Sequence, residues 1–199
     1  MIKQFVLASH NAKKTAEMRA ILAPLGIDLL NLTEFPGAPE PEEDGDTFED
    51  NAIIKAKSAL AYTGLASLAD DSGLMVEALD GRPGVYSARF AGDGAGDAAN
   101  NALLLKELDG VPPAKRGAKF VSAVALAIPE REVRVFRGET HGVVLDALRG
   151  TNGFGYDPLF LSGDLGVTFA EAASEAKNKI SHRARAMSAL REWLVGECL

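Results

Sequence analysis

The chain of 199 residues contains a single cysteine, Cys198, so an internal disulfide is excluded. A lone thiol fits a reducing compartment, and we expect a cytoplasmic protein. No apolar run is long enough to span a bilayer, and the apolar stretch at the N-terminus is too short for a signal peptide. Heptad repeats and a glycine period are also absent, which excludes a coiled coil and a collagen.

Basic residues are outnumbered: 21 Lys and Arg face 28 Asp and Glu, for a net charge of −7. This balance argues against general nucleic-acid binding, which needs a basic face. A small anionic ligand is still permitted where a few cations converge. With 47% hydrophobic residues the composition is globular, and the length predicts a single domain over 1–199.

Apolar periodicity predicts both strands and helices. A β-α-β start is followed by a second helix, a strand that ends in an Asp-Asp-Ser-Gly segment, a third helix, a long hairpin and a final helix. The expected elements are strands over 2–8, 27–32, 65–69, 119–128 and 132–142, with helices over 13–25, 48–62 and 97–108. Thr168 and Glu171 fit a capping box that opens a further helix, and Ser181 can cap the last one. Together they predict an α/β fold, a mixed twisted sheet flanked by helices.

A polar turn, Ser9-His10-Asn11-Ala12-Lys13-Lys14, joins the first strand to the first helix. Free backbone N–H groups, the helix dipole and lysines in the first turn can form a phosphate cradle. The alternative is a simple N-cap by Ser9 or Asn11 with exposed lysines.

Asn51 and Lys55 share one face of the alanine-rich second helix. An amide and a cation on one face can bind a polyphosphate. The alternative is a face exposed to solvent.

Two adjacent carboxylates, Asp70 and Asp71, follow an apolar strand. Strand ends are where ligand sites form in α/β sheets, and carboxylate oxygens suit Mg²⁺. Glu42 or Glu43, in the Pro-rich acidic loop over 35–46, can supply another ligand. The alternative is a plain Asp-Ser-Gly turn with Asp70 as its cap.

Two later segments could recognise a nucleobase. Glycines flank Phe154 in the segment over 153–158, so its ring can stack on a base. The alternative is a loop plug with Phe154 and Tyr156 buried. The basic run over 177–183 can hold phosphate or base oxygens, or be plain surface.

Taken together, these segments resemble one family, the non-canonical purine nucleoside triphosphate pyrophosphatases, also called the inosine triphosphatase or Ham1 family. The resemblance covers nearly the whole chain, although His10 and Lys13 stand where the family often has small residues. It rests on six blocks in order: Ser9-x-Asn11-x-x-Lys14, Phe48-x-x-Asn51-x-x-x-Lys55, Ala69-Asp70-Asp71-Ser72-Gly73-Leu74, Gly84-Val85-Tyr86-Ser87-Ala88-Arg89-Phe90, Gly153-Phe154-Gly155-Tyr156-Asp157-Pro158 and Ser181-His182-Arg183.

The resemblance implies hydrolysis of inosine, deoxyinosine and xanthosine triphosphates to the monophosphate and pyrophosphate. It also implies Mg²⁺, a homodimer, no nucleic-acid or membrane partner, and two lobes with a substrate cleft between them. Asp71 would be the general base and, with Glu43, a metal ligand. The implied substrate-binding residues are Ser9, His10, Asn11, Ala12, Lys13, Lys14, Asn51, Lys55, Ser72, Phe154, Gly155, Tyr156, Asp157, Lys177, His182 and Arg183. The last group, from Phe154 onward, would surround the base. The role of Asp70 stays open.

Overall fold

The computed structural model describes residues 4–9 and 11–197, without the side chains of Ala12, Lys13, Leu25 and Glu197. Within these ranges the α-helices are α1 (Ala12–Leu22), α2 (Phe48–Thr63), α3 (Gly96–Glu107), α4 (Ser174–Ile180) and α5 (His182–Glu197). The strands are β1 (Gln4–Leu7), β2 (Asp28–Asn31), β3 (Ser67–Val76), β4 (Gly117–Ala127), β5 (Arg134–Val144) and β6 (Phe160–Ser162).

These strands form one sheet in the described part of the chain, in the order β2-β1-β3-β4-β5-β6. β1 pairs in parallel with β2 and with β3, whereas β5 and β6 are antiparallel. The sheet is therefore mixed, and the predicted α/β class is confirmed.

The described residues group into two compact units. The first takes those within Met1–Asp71, Ser122–Gly138 and Arg183–Leu199. Its hydrophobic core joins β1 to α1 and α5, and includes Phe5, Leu7, Met18, Leu22, Met187, Leu190 and Leu194. The α5 members follow the helical spacing that the sequence indicates.

The second unit takes Ser72–Val121 and Glu139–His182. Aromatic rings dominate its core: Phe120 lies 4.7 Å from Phe160 and 5.7 Å from Phe169, measured between ring centroids. Leu74 and Leu104 are fully buried beside them. The chain passes from one unit to the other four times, after Asp71, Val121, Gly138 and His182.

The alternative of an Asp-Ser-Gly turn is wrong, and the strand predicted to end at residue 69 is longer, because β3 runs through Asp70, Asp71 and Ser72 to Val76. Two buried carboxylates are tolerated in a strand only when each has partners, and both do. Gly73 does not form a turn; its missing side chain lets Ser87 and the Gly84 carbonyl pack close to its Cα. The Ser87 hydroxyl sits against it, accepts the Leu74 N–H at 2.9 Å and donates to the Gly84 carbonyl at 2.6 Å.

The helix predicted to open at Thr168 is also wrong. The capping-box bonds exist: Thr168 N–H donates to Glu171 Oε2 at 2.9 Å, and Glu171 N–H donates to Thr168 Oγ1 at 3.1 Å. They close a turn instead, because the Ala170 carbonyl accepts the N–H groups of residues 151 and 152 rather than continuing a helix. The next helix, α4, begins at Ser174 and was not predicted, nor was the short strand β6.

Two predictions concern the chain as a whole. No helix in the described ranges is both long and apolar enough to cross a membrane. A single domain over 1–199, with a cleft between two lobes, stays a prediction.

The close approach at Gly73 predicts a cost for any side chain there. A Cβ at this position would lie 2.3 Å from Ser87 Oγ and 2.6 Å from the Gly84 carbonyl oxygen. We expect Gly73→Ala to lower the free energy of unfolding by about 1–3 kcal/mol, measured by urea denaturation. Gly196→Ala in α5 is the control, because a Cβ there meets nothing within 4 Å. Equal stability of Gly73→Ala and the wild type would contradict the expected clash.

Candidate active site

Asp70 is a deeply buried carboxylate of the first unit, at 3% exposure. Its Oδ1 accepts the Ser122 hydroxyl at 2.5 Å. Its Oδ2 lies 2.8 Å from Lys14 Nζ and 3.3 Å from Arg183 Nη2. One carboxylate therefore ties α1, β3, β4 and α5 together.

The charges around Asp70 decide its protonation. Burial opposes ionisation, but the Arg183 guanidinium and the Lys14 ammonium outweigh it and hold the pKa of Asp70 well below 3.8. Arg183 is 2% exposed and also pairs with Glu17, and these two carboxylates overcome burial and raise the pKa of Arg183. Both groups stay charged, and each is neutralised inside the unit.

Asp71, the next residue of β3, joins a different cluster, because side chains alternate along a strand. Its Oδ1 lies 2.9 Å from Lys55 Nζ, which is also 3.2 Å from Glu43 Oε2. Burial disfavours the charged carboxylate and raises the pKa of Asp71, although the neighbouring Lys55 ammonium acts to lower it. Burial likewise opposes the charge on Lys55, but Asp71 and then Glu43 raise its pKa. The ammonium of Lys55 thus bridges the carboxylates of Glu43 and Asp71, which lie 28 positions apart in the sequence.

Asn51 supports this cluster from α2 and is 1% exposed. Its Oδ1 accepts the Gly45 N–H at 2.9 Å, and its Nδ2 donates to Asp71 Oδ2 at 3.4 Å. The face that carries Asn51 and Lys55 is therefore buried against the acidic loop, and its interpretation as a solvent face is wrong. Both the oxygen and the nitrogen of the Asn51 side-chain amide already have partners within the protein. Direct substrate binding by Asn51 therefore stays a prediction.

The carboxylates of this cluster fit a Mg²⁺ site. Asp71 and Glu43 already reach one cation, the Lys55 ammonium, whereas Glu42 is exposed. Mg²⁺ takes one or two protein carboxylates and completes its shell with waters and substrate phosphates. Groups of three or more acidic, histidine or cysteine side chains suited to a metal are absent from the described residues. A two-carboxylate site that needs phosphate oxygens agrees with both facts.

In the turn before α1, side-chain oxygens of Ser9 and Asn11 cap backbone N–H groups. Ser9 Oγ accepts the Asn11 N–H at 3.1 Å, and Asn11 Oδ1 accepts the Lys14 N–H at 3.1 Å. The Lys14 side chain is mostly buried and reaches Asp70, so the alternative of an N-cap with exposed lysines is right about the cap and wrong about this lysine. His10 and the side chains of Ala12 and Lys13 lie outside the described residues.

In the second unit, the loop over 153–158 is organised around Asp157. Its Oδ2 accepts the Phe154 N–H at 3.0 Å and lies 2.6 Å from Lys177 Nζ. That ammonium also lies 5.0 Å from the Phe154 ring centroid, within cation–π range. Gly153 is required here, because a Cβ would lie 2.0 Å from Asp157 Oδ2 and its φ is +76°.

The plug interpretation holds for one of the two aromatic residues of this loop. Tyr156 is buried and donates its hydroxyl to the Ser87 carbonyl at 2.9 Å, and burial raises the pKa of its phenol. Phe154 and Ser72 are each partly exposed. His182 is 5% exposed and stacks on Phe120 with ring centroids 4.8 Å apart.

The structure therefore separates the predicted residues. In the first unit, Lys14 and Arg183 meet at Asp70, whereas Asn51, Lys55 and Glu43 form a cluster with Asp71. Ser9 and Asn11 belong to the same unit, and the described ones from Ser72 to His182 belong to the second. Sequence reasoning missed several supporting residues: Glu17, Ser122, Ser87, Asp97 and Asn101. Of these residues, only Ser87 could have been found from the sequence, because it lies in the Gly84–Phe90 block that carries the family resemblance.

Comparison with known proteins shows the family to which the chain belongs. Two relatives called dITP/XTP pyrophosphatase come from Geobacter sulfurreducens (54% identical over 191 residues, 96% of each chain) and Exiguobacterium sibiricum (51% over 187 residues, 94% of each chain). The solved HAM1 protein of Coxiella burnetii matches with a TM-score of 0.90 at 41% identity, covering 98% of this chain and 100% of that one. The fold is thus that of the HAM1 structures. A family model described as the Ham1 family matches residues 5–193, and the chain belongs to that family.

The Asp70 network predicts a pH-dependent loss of stability in Asp70→Asn. The pKa of Asp70 is lowered on folding, so its contribution is present above about pH 4 and is lost as the pH falls through the folded pKa. We expect the variant to lose about 3–5 kcal/mol of unfolding free energy at pH 7 and the difference from wild type to shrink below pH 3.8. Denaturant titrations across pH measure it, with exposed Asp109→Asn as the control. A difference that is constant with pH would contradict the ionised network.

Proposed function

We propose that this protein is a hydrolase that cleaves inosine, deoxyinosine and xanthosine triphosphates to the monophosphate and pyrophosphate. Its role would be to remove deaminated purine nucleotides from the precursor pool. The observation that supports this most is the buried cluster of Asp71, Lys55 and Glu43. It occurs in a chain about half identical to proteins named dITP/XTP pyrophosphatase.

The triphosphate would bind in the first unit. Lys14 and Lys55 supply full positive charges, and the N-terminal end of α1 adds the positive end of a helix dipole. Both lysines are held by carboxylates, Lys14 by Asp70 and Lys55 by Asp71 and Glu43. They are therefore oriented before the substrate arrives, which reduces the entropy lost on binding.

The chemistry would centre on Asp71. Asp71 and Glu43 would hold Mg²⁺, which when bound offsets phosphate charge and makes water more acidic. Asp71 would accept the proton of the water that attacks the α-phosphorus. A new oxygen–phosphorus bond forms, the bond from the α-phosphorus to the bridging oxygen breaks, and pyrophosphate leaves with the electron pair. Burial of Asp71 raises its pKa and so its basicity.

The purine would be recognised by the loop over 153–158 together with Lys177, His182 and Arg183. The partly exposed Phe154 ring can stack on the base, with Lys177 on the ring and Asp157 holding Lys177. Gly155, Tyr156 and Ser72 would shape this part of the site. His182 can donate to the O6 carbonyl that hypoxanthine and xanthine carry in place of the adenine amino group. A buried donor left facing an amino group costs about 1–3 kcal/mol.

The homodimer implied by the family stays a prediction, as do the cytoplasmic location and the absence of nucleic-acid or membrane partners. A nucleotide-binding regulator without catalysis, the alternative class, has no use for the Asp71 cluster.

The reaction predicts defined products. With Mg²⁺ and inosine triphosphate we expect the monophosphate and pyrophosphate in equal amounts, resolved by ion-exchange chromatography. Asp71→Asn should lower kcat by about 10²–10⁴-fold, because the amide loses charge and basicity but keeps the shape. Asp109→Asn is the exposed control. Release of orthophosphate with accumulating diphosphate would contradict the proposal.

Arg183 tests base selection. Two carboxylates fix its guanidinium, so Arg183→Ala removes an oriented donor. We expect kcat/KM to fall by about one to two orders of magnitude for inosine triphosphate and much less for adenosine triphosphate. Arg191→Ala, exposed on the same helix, is the control. Equal losses on both substrates would place Arg183 with Lys14 as a phosphate-binding group.

A further inference from the structure

The Gly155 peptide is held on both sides by helix α3. Its N–H donates to Asp97 Oδ2 at 2.7 Å, and its carbonyl accepts from Asn101 Nδ2 at 2.8 Å. Asn101 Nδ2 also donates to the Asp97 carbonyl at 2.8 Å, so both contacts come from one turn of the helix. We call these two residues the Gly155 clasp.

Asn101 carries a stability cost. It is 6% exposed, and its Oδ1 is buried without a hydrogen-bond partner among the described residues. Such an acceptor is unfavourable in a core and needs an explanation. Its neighbour Asn100 is equally enclosed but has both partners, the Ala91 N–H and the Ala88 carbonyl. The amide of Asn101 is thus kept for its bond to Gly155 despite the cost.

Apart from these two hydrogen bonds, no side chain of the described residues packs against the Cα of Gly155. Its φ is +60°, and a Cβ there would meet nothing within 4 Å. The residues beside it have other anchors: the Phe154 N–H bonds Asp157, and the Tyr156 hydroxyl bonds the Ser87 carbonyl. Without the clasp, rotation about Gly155 would move the partly exposed Phe154 ring. The clasp therefore sets the direction in which that ring is presented.

We propose that Asp97 and Asn101 are positioning residues for purine recognition, acting through Gly155 on Phe154 without touching the substrate. This inference rests on the proposed function and adds to it two residues outside the predicted site. It also assigns the effect to the base, because the hydrogen bonds of Asp97 and Asn101 described above go to Gly155 and to each other within the second unit.

Asn101→Leu is the main test, because leucine is close in size and removes both the donor to Gly155 and the unpartnered acceptor. We expect KM for inosine triphosphate to rise about three- to tenfold, with kcat within about twofold of wild type. Inhibition by inorganic tripolyphosphate, which has no base, should be unchanged. Tm should stay equal or rise, whereas Asn100→Leu, the matched buried asparagine, should lower it.

Asp97→Ala should raise KM in the same way, with Asp93→Ala as the exposed control. Hydrogen exchange supplies a readout that does not depend on catalysis. Loss of the carboxylate acceptor should speed exchange of the Gly155 amide, and Asp93→Ala should not.

Several outcomes would overturn the inference. Unchanged KM in both clasp variants would show that the clasp has no part in recognition. Parallel loss of nucleotide and tripolyphosphate affinity, with a fall in Tm, would show a purely structural role. If the wild type releases no pyrophosphate from inosine triphosphate, the proposed function fails by itself. Unchanged exchange at Gly155 in Asp97→Ala would refute the clasp whatever the substrate.

Discussion

The first unit depends on neutralising a carboxylate that its own central strand buries. Burying the charged Asp70 carboxylate is unfavourable unless cations are buried beside it. Lys14 of α1 and Arg183 of α5, which are far apart in sequence, supply those cations. The requirement has a structural consequence: α1 and α5 are fixed by charge as well as by apolar packing. Asp71, one residue on, can then be held separately by Lys55.

Much of the fold could be predicted because its signals are local. Helices α2, α3 and α5 follow apolar spacing, and β4 and β5 follow β-prone runs. The failures have physical causes too. A capping box at Thr168 needs only four residues and forms without a helix, since the Ala170 carbonyl is engaged elsewhere. Asp-Asp-Ser-Gly favours a turn by composition, but ion pairs from distant residues keep it in a strand.

The site was predictable in its residue types but not in its pairings. Basic and acidic motifs suggested a triphosphate and a metal, whereas the partner of each charge depended on contacts across the sequence. Arg183 meets Glu17, 166 positions away, and Ser122 meets Asp70, 52 positions away. Even residues adjacent in one motif have different surroundings, since His182 stacks on Phe120 whereas Arg183 belongs to the first unit. Spacing along a chain carries no information about such partners.

The contact between Gly73 and Ser87 limits how this protein can change over time. A larger residue at 73 could be accommodated only if Ser87 became smaller, yet the Gly84 carbonyl would still stand 2.6 Å from the new Cβ. No single compensatory substitution relieves both clashes, because a backbone oxygen cannot be trimmed by mutation. Replacing Ser87 would also leave the buried Leu74 N–H without its acceptor. A single substitution at either position therefore carries a stability cost that a substitution at the other does not remove.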